Sequence, residues 1–177
     1  SFFRQMVRSP ELNILPPIVS SGDAGGMPSQ KLLVGRLKID DDEAFVMTLR
    51  AGNAGYWAAN AYNSWLMSGD FWSKCSARNH LQSIANTDGS FSLVFSHVDP
   101  GVHNWIDTLG VNEPLMMVRW HLLSKTPGGE EPSVEGRLVK LNELHNALPA
   151  GVNRLTPEQR SQELEARLTA FQLRYAV

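Results

Sequence analysis

Hydrophobic and polar residues alternate over much of the chain between residues 31 and 123, and that two-residue period predicts β-strands. In residues 43–50, Ala44, Val46 and Thr48 share one face while Phe45, Met47 and Leu49 share the other. Residues 90–98 repeat the pattern, with Phe91, Leu93 and Phe95 opposite Ser92, Val94 and Ser96. Residues 115–123 set Arg119 and His121 against Val118, Trp120 and Leu122, and residues 31–39 and 55–62 read as further strands. Turn residues separate them: Asp40-Asp41-Asp42, Gly52 with Gly55, Asn86-Thr87-Asp88-Gly89 and Asp99-Pro100-Gly101. Several short strands divided by turns predict a mainly β sandwich or barrel. Residues 63–81 show no period and receive no element.

Beyond residue 126 the pattern changes. A Pro/Gly/Glu-rich loop precedes a short last strand at 137–140, and Leu141, Leu144 and Leu148 predict a short helix. Thr156-Pro157-Glu158-Gln159 is a helix start, with a Thr cap, Pro in the first turn and Gln159 completing a capping box. Leu164, Leu168, Phe171 and Tyr175 then form one apolar stripe, which predicts an amphipathic C-terminal helix that covers the sandwich or joins a second copy in a homo-oligomer. Residues 1–30 are broken by Pro16-Pro17 and Gly25-Gly26. They read as an irregular lead-in or linker, with two helical turns at Phe2, Phe3, Met6 and Val7, so that the domain spans 31–177.

A length of 177 residues suits one domain with a substantial core, and 42% hydrophobic with 19% charged residues excludes a disordered chain. The net charge of -2 gives no reason to expect nucleic acid as a partner, and no run approaches the apolar length of about 18 residues that a membrane helix needs. One cysteine, Cys75, allows no internal disulfide and leans towards a reducing, cytoplasmic setting without deciding the compartment. Ser1-Phe2-Phe3-Arg4 has neither an initiator Met nor signal-peptide architecture, which fits either a trimmed chain or a piece of something longer.

The densest polar patch is the segment 97–108. His97 and Asp99 lie two residues apart, and His103 returns across the Pro-Gly turn. Two imidazoles and a carboxylate would suit a divalent metal with an open water position. In the plainer reading, Asp99 caps the turn, both His side chains bond to backbone and Trp105 plugs the sandwich end. His121 and His80 are further candidates for the cluster. Tyr56, Trp57, Tyr62, Trp65 and Trp72 would stack on a sugar or flat ligand, or else fill the core. No serine-nucleophile elbow or phosphate loop is present.

YWAANAYNSW, NTDGSFSLVFSHVDPGVHNWIDTLG, LMMVRWHLL and RLVKLNELHNALPAGVNRLTPEQR together resemble the bacterial domain-of-unknown-function family twelve-fourteen, from about Lys31 to Tyr175. The resemblance implies a jelly-roll-like β-sandwich that occurs alone, after a second uncharacterised domain, or attached to enzyme domains such as sulfotransferases. It implies no activity. This sequence departs from the family pattern at Ser73-Lys74, where the family has Asn-Arg, while Asn79 matches. A bidentate anion contact there would be weaker with Lys74, with Arg78 placed to compensate.

Two functions follow. The first is an accessory or ligand-binding module for a polar small molecule, sugar or partner domain, using Trp57, Lys74, Asn79, Asn104 and Trp105 with the 97–108 loop and Arg119, and no cofactor. The second is a hydrolase or lyase in which His97 is general base, Asp99 orients it, and Arg119 or Lys74 steadies an anion, with His103 recruited in a metal-assisted form.

Overall fold

The computed structural model of the protein describes residues 11–124 and 129–175. Nine strands occur among them: β1 (Val19–Ser20), β2 (Lys31–Arg36), β3 (Glu43–Arg50), β4 (Ala54–Tyr62), β5 (Ala77–Asn79), β6 (Phe91–Ser96), β7 (Trp105–Asp107), β8 (Leu115–Leu123) and β9 (Ser133–Lys140). One sheet has the order β1-β2-β8-β4-β5 and the other β7-β6-β3-β9. Every pairing is antiparallel except β6 with β7, which is parallel. The chain is mainly β, in two sheets, with a C-terminal helix, as the alternation predicts.

That alternation decides which side chains enter the core. Phe45, Met47 and Leu49 of β3 and Leu93 and Phe95 of β6 meet Leu33, Trp57, Ala59, Val118 and Trp120 of the other sheet, all buried. Burial of a large apolar side chain contributes roughly 1.5–3 kcal/mol, so this layer is the main source of stability.

The second face of the β7-β6-β3-β9 sheet is buried as well. Ala44, Val46 and Val94 lie with Cys75, Val102, Trp105 and Leu144 beneath Leu141, Leu148, Val152 and Leu164. The cover comes from the C-terminal tail: a 3-10 turn at Leu141–Glu143, then α1 (Leu144–Ala147) and α2 (Pro157–Tyr175). The expected capping box starts α2, since Thr156 N–H donates to Gln159 Oε1 at 2.9 Å and Gln159 N–H donates to Thr156 Oγ1 at 3.3 Å. Along the predicted stripe, Leu164 joins the buried layer and Phe171 stacks on Trp72 with centroids 5.3 Å apart. Tyr175 touches Phe171 but keeps 59% of its surface exposed.

Several boundaries differ from the sequence reading. Within the supposed irregular lead-in, β1 pairs with β2, and the Asn13 N–H donates to the Arg36 carbonyl at 2.9 Å. Residues 13–20 therefore run along the sheet edge. The last strand begins at Ser133, not at 137, because all eight of its residues pair with β3. β5 and β7 have three residues each, too few to show a period. The helical turns expected at Phe2, Phe3, Met6 and Val7 lie outside the described residues, as do residues 126–128 of the predicted loop.

Candidate functional site

The 97–108 segment leaves β6, makes two side-chain-stabilised turns and supplies β7 between them. At the first turn, Asp99 Oδ1 accepts the Gly101 N–H at 2.8 Å, and Oδ2 accepts the Arg160 Nε–H of α2 at 2.8 Å. Arg160 is only 5% exposed and also donates to the Val102 carbonyl at 2.5 Å, its guanidinium 5.1 Å from the centre of the Trp105 ring. Glu163 binds Arg160 and also pairs with Arg78 at 2.5 Å. Arg78 in turn donates to the carbonyls of Trp105 and Gln82, both at 3.1 Å. Arg167 adds a bond to the Ala77 carbonyl at 3.0 Å. Burial would raise the Glu163 carboxyl, but its hydrogen bond to Arg78 and the charges of Arg78 and Arg160 outweigh this and hold it below its ordinary value.

This network uses most of the residues expected to do chemistry. His97, Asp99 and His103 do not converge. His97 Nε2 bonds the Ile39 carbonyl at 2.8 Å and its Nδ1 meets Thr108 Oγ1 at 2.6 Å, so Nε2 carries the proton and the Thr108 hydroxyl donates to Nδ1. Asp99 turns to Arg160 and therefore does not orient His97. His103 donates to the Gln82 carbonyl at 3.1 Å, and burial together with nearby Arg78 lowers its pKa. Among the described residues, no three His, Cys, Asp or Glu side chains gather as a metal site.

The binding candidates divide in the same way. Trp57, 1% exposed, is core and not ligand surface. Asn79 Oδ1 accepts the Leu81 and Gln82 N–H groups, both at 3.0 Å, and shapes a turn. Asn104 is buried and grips Ile84 twice, accepting its N–H at 2.9 Å and donating to its carbonyl at 2.8 Å. Trp105 is 6% exposed and donates to the Ser96 carbonyl at 3.2 Å. Arg119 lies on the outer face of the other sheet, away from His97, since Val118 and Trp120 take the inward positions. His80 and His121 both pack on Tyr56, with centroids 5.0 and 5.9 Å away, and join no cluster at His97. Of the aromatic group, Trp57 is core and Tyr62 packs on the cluster of Leu32, Val34 and Met117, whereas Trp65 is 81% exposed. Arg78, 1% exposed and tied to Glu163, does not compensate for Lys74. Cys75 is buried and its thiol is pushed up in pKa by that burial, which suits a packing role.

Lys74 is the binding candidate that faces open space. It lines a groove of about 500 Å³ with Gly69, Asp70, His97, Asp107, Leu109 and Gly110. The second turn of the segment builds one wall. Asp107 is 5% exposed, and its Oδ1 accepts the Leu109 N–H at 2.7 Å. Its Oδ2 has no hydrogen bond among the described residues and stands 4.0 Å from Lys74 Nζ, too far for one. Leu109 holds a φ of +62°, a strained conformation for a branched side chain. Its side chain closes on Gly69 so tightly that an added Cβ there would lie 2.7 Å from Leu109 Cδ1. Asp70 was not singled out in the sequence, and Asp107 only as a member of the 97–108 segment. The signal for Asp107 was the Asp-x-Leu-Gly turn after a buried aromatic. The signal for the α2 network was charge at 160, 163 and 167, on the same helical face as Leu164 and Phe171.

No family model matches the chain, and no curated protein does. Among solved structures it is similar to an uncharacterised protein from Burkholderia cenocepacia, at 24% identity over 75% of this chain and 36% of that one, with a TM-score of 0.66. A protein from Vibrio parahaemolyticus matches at 18% identity over 63% of this chain and 32% of that one, with a TM-score of 0.45. The chain thus spans about a third of the length of the structures it resembles. The Burkholderia likeness extends to the fold alone.

Proposed function

We propose that this chain is a non-catalytic binding module that holds a small polar molecule in the groove between Lys74 and Asp107. The observation that carries this reading is the state of Asp107. Asp107 spends Oδ1 on its own turn and leaves Oδ2 open to the groove beside an exposed ammonium. A strained Leu109 on the same wall adds to it, since strain of this kind collects at ligand sites. We read the sandwich as jelly-roll-like and as a member of family twelve-fourteen, on the residues already quoted. In this reading the module works as an accessory to further protein.

The test is an NMR titration of the isotope-labelled protein with a library of polar metabolites. Saturable shifts at the amides of Lys74, Leu109 and Gly110 are expected. Saturable shifts confined to any other surface would sink the proposal.

A second reading, a hydrolase or lyase with His97 as base, draws on one observation: the imidazole lines the same groove. Its unprotonated nitrogen, Nδ1, would first have to release the Thr108 hydroxyl. Compounds that titrate the groove should persist unchanged on prolonged incubation. Conversion that disappears in His97→Gln would replace the binding reading with this one.

A further inference from the structure

The charges along the groove narrow the class of ligand, and this step rests on the binding reading just given. Asp70 and Asp107 supply two carboxylates and Lys74 one ammonium, all lining the same space. An incoming anion would face both carboxylates. The two carboxylates outnumber the one ammonium, so an anion meets net repulsion there, while Lys74, 55% exposed beside Asp107, keeps a donor at the wall.

A neutral hydroxyl group avoids that repulsion. Lys74 Nζ and Asp107 Oδ2 are 4.0 Å apart. One oxygen about 2.8 Å from each completes a triangle with them. That oxygen donates its proton to Oδ2 and accepts an N–H from Nζ, so one atom satisfies both partners. Water does the same in the empty groove, so a ligand gains only by reproducing both bonds while adding contacts elsewhere. Leu109 offers an apolar surface for the C–H face of a ring, and the Asp70 carboxylate offers a second hydroxyl acceptor.

We infer that the groove takes a polyhydroxylated molecule without anionic groups, a sugar or cyclic polyol, one hydroxyl of which bridges Lys74 Nζ and Asp107 Oδ2. The experiment titrates methyl glucoside, methyl galactoside, methyl mannoside and myo-inositol against the anionic counterparts glucose 6-phosphate and inositol phosphate. Wild type, Lys74→Met and Asp107→Asn are compared. The asparagine keeps an acceptor for the Leu109 N–H, and Lys74 is exposed enough for its variant to fold in any case.

At least one neutral compound should give saturable shifts at Lys74, Leu109 and Gly110, with the phosphorylated compounds at least tenfold weaker. Each variant should bind that compound at least tenfold more weakly. A phosphorylated compound that binds the groove more tightly than its neutral parent overturns the ligand class and leaves the groove reading standing. Neutral binding that both variants retain overturns the hydroxyl bridge. Saturable binding by none of the compounds overturns the ligand class, and the metabolite library then decides the groove reading separately.

Discussion

Two aspartates eight residues apart make the same turn and meet opposite surroundings. Asp99 and Asp107 each accept the N–H of the residue two positions on, at 2.8 and 2.7 Å, and each has a basic side chain opposite. At Asp99 that partner is Arg160, buried and 2.8 Å away, with its remaining donors spent on Glu163 and the Val102 carbonyl. At Asp107 it is Lys74, exposed and 4.0 Å away. A planar guanidinium bonded to several acceptors at once closes a turn, whereas a flexible ammonium out of bonding range leaves a carboxylate oxygen for something else. The first turn fastens the C-terminal helix to the sandwich. The second is the one a ligand can use.

The sharpest way to break this contrast is at Arg160. Replacing it with Met leaves Asp99 without its partner, while Glu163 keeps Arg78, and a loss of about 3 kcal/mol is expected, the low end for opening a buried pair because Asp99 retains 29% exposure. Urea denaturation would measure it, and a loss below about 1 kcal/mol would make the Asp99 turn no more fastened than an exposed pair. Asn104→Ala should come next. It removes both bonds to Ile84, and about 1–3 kcal/mol is expected from the two groups left unpaired.

Acid should loosen the fastened side through two groups. His103 has a folded pKa below its ordinary value of 6.5, so the folded state resists its protonation. Its contribution is complete above that value and declines as pH falls through it. Glu163 also lies below its ordinary value of 4.5, so its contribution is complete above 4.5 and is lost as pH falls towards its folded value. Thermal melts should therefore show a decline beginning near 6.5 and a further one below 4.5, with His103→Gln removing the first. The smallest expected stability effect is at Lys74→Met. The loosely paired, exposed ammonium should cost no more than about 0.5 kcal/mol when removed.

The sequence carried the sandwich well because its signal is local. Phe45, Met47 and Leu49, or Phe91, Leu93 and Phe95, state their common face by spacing alone. It carried the site poorly because the decisive contacts join distant segments. Asp99 and Arg160 are 61 residues apart, and no period links them. His97, Asp99 and His103 looked like a set because they are neighbours in the chain, yet each bonds to a different part of the fold. The stripe of α2 was visible in Leu164 and Phe171, but the charges that share that face looked like solvent positions until Arg78 and Asp99 were placed beneath them. Lys74 stood out only through a family resemblance, and the pairing of Asp107 with it became legible only when the short parallel strand β7 fixed where its carboxylate points.

The most direct test of the contrast is a matched pair of substitutions, Asp99→Asn and Asp107→Asn, since each asparagine preserves its own turn while removing the charge. For both, unfolding free energy is measured alongside affinity for the tightest-binding of the methyl glycosides and myo-inositol. The account predicts that Asp99→Asn loses stability and keeps its affinity, while Asp107→Asn keeps its stability and loses affinity at least tenfold. Equal losses of both quantities in the two variants, or the reverse assignment, would contradict it.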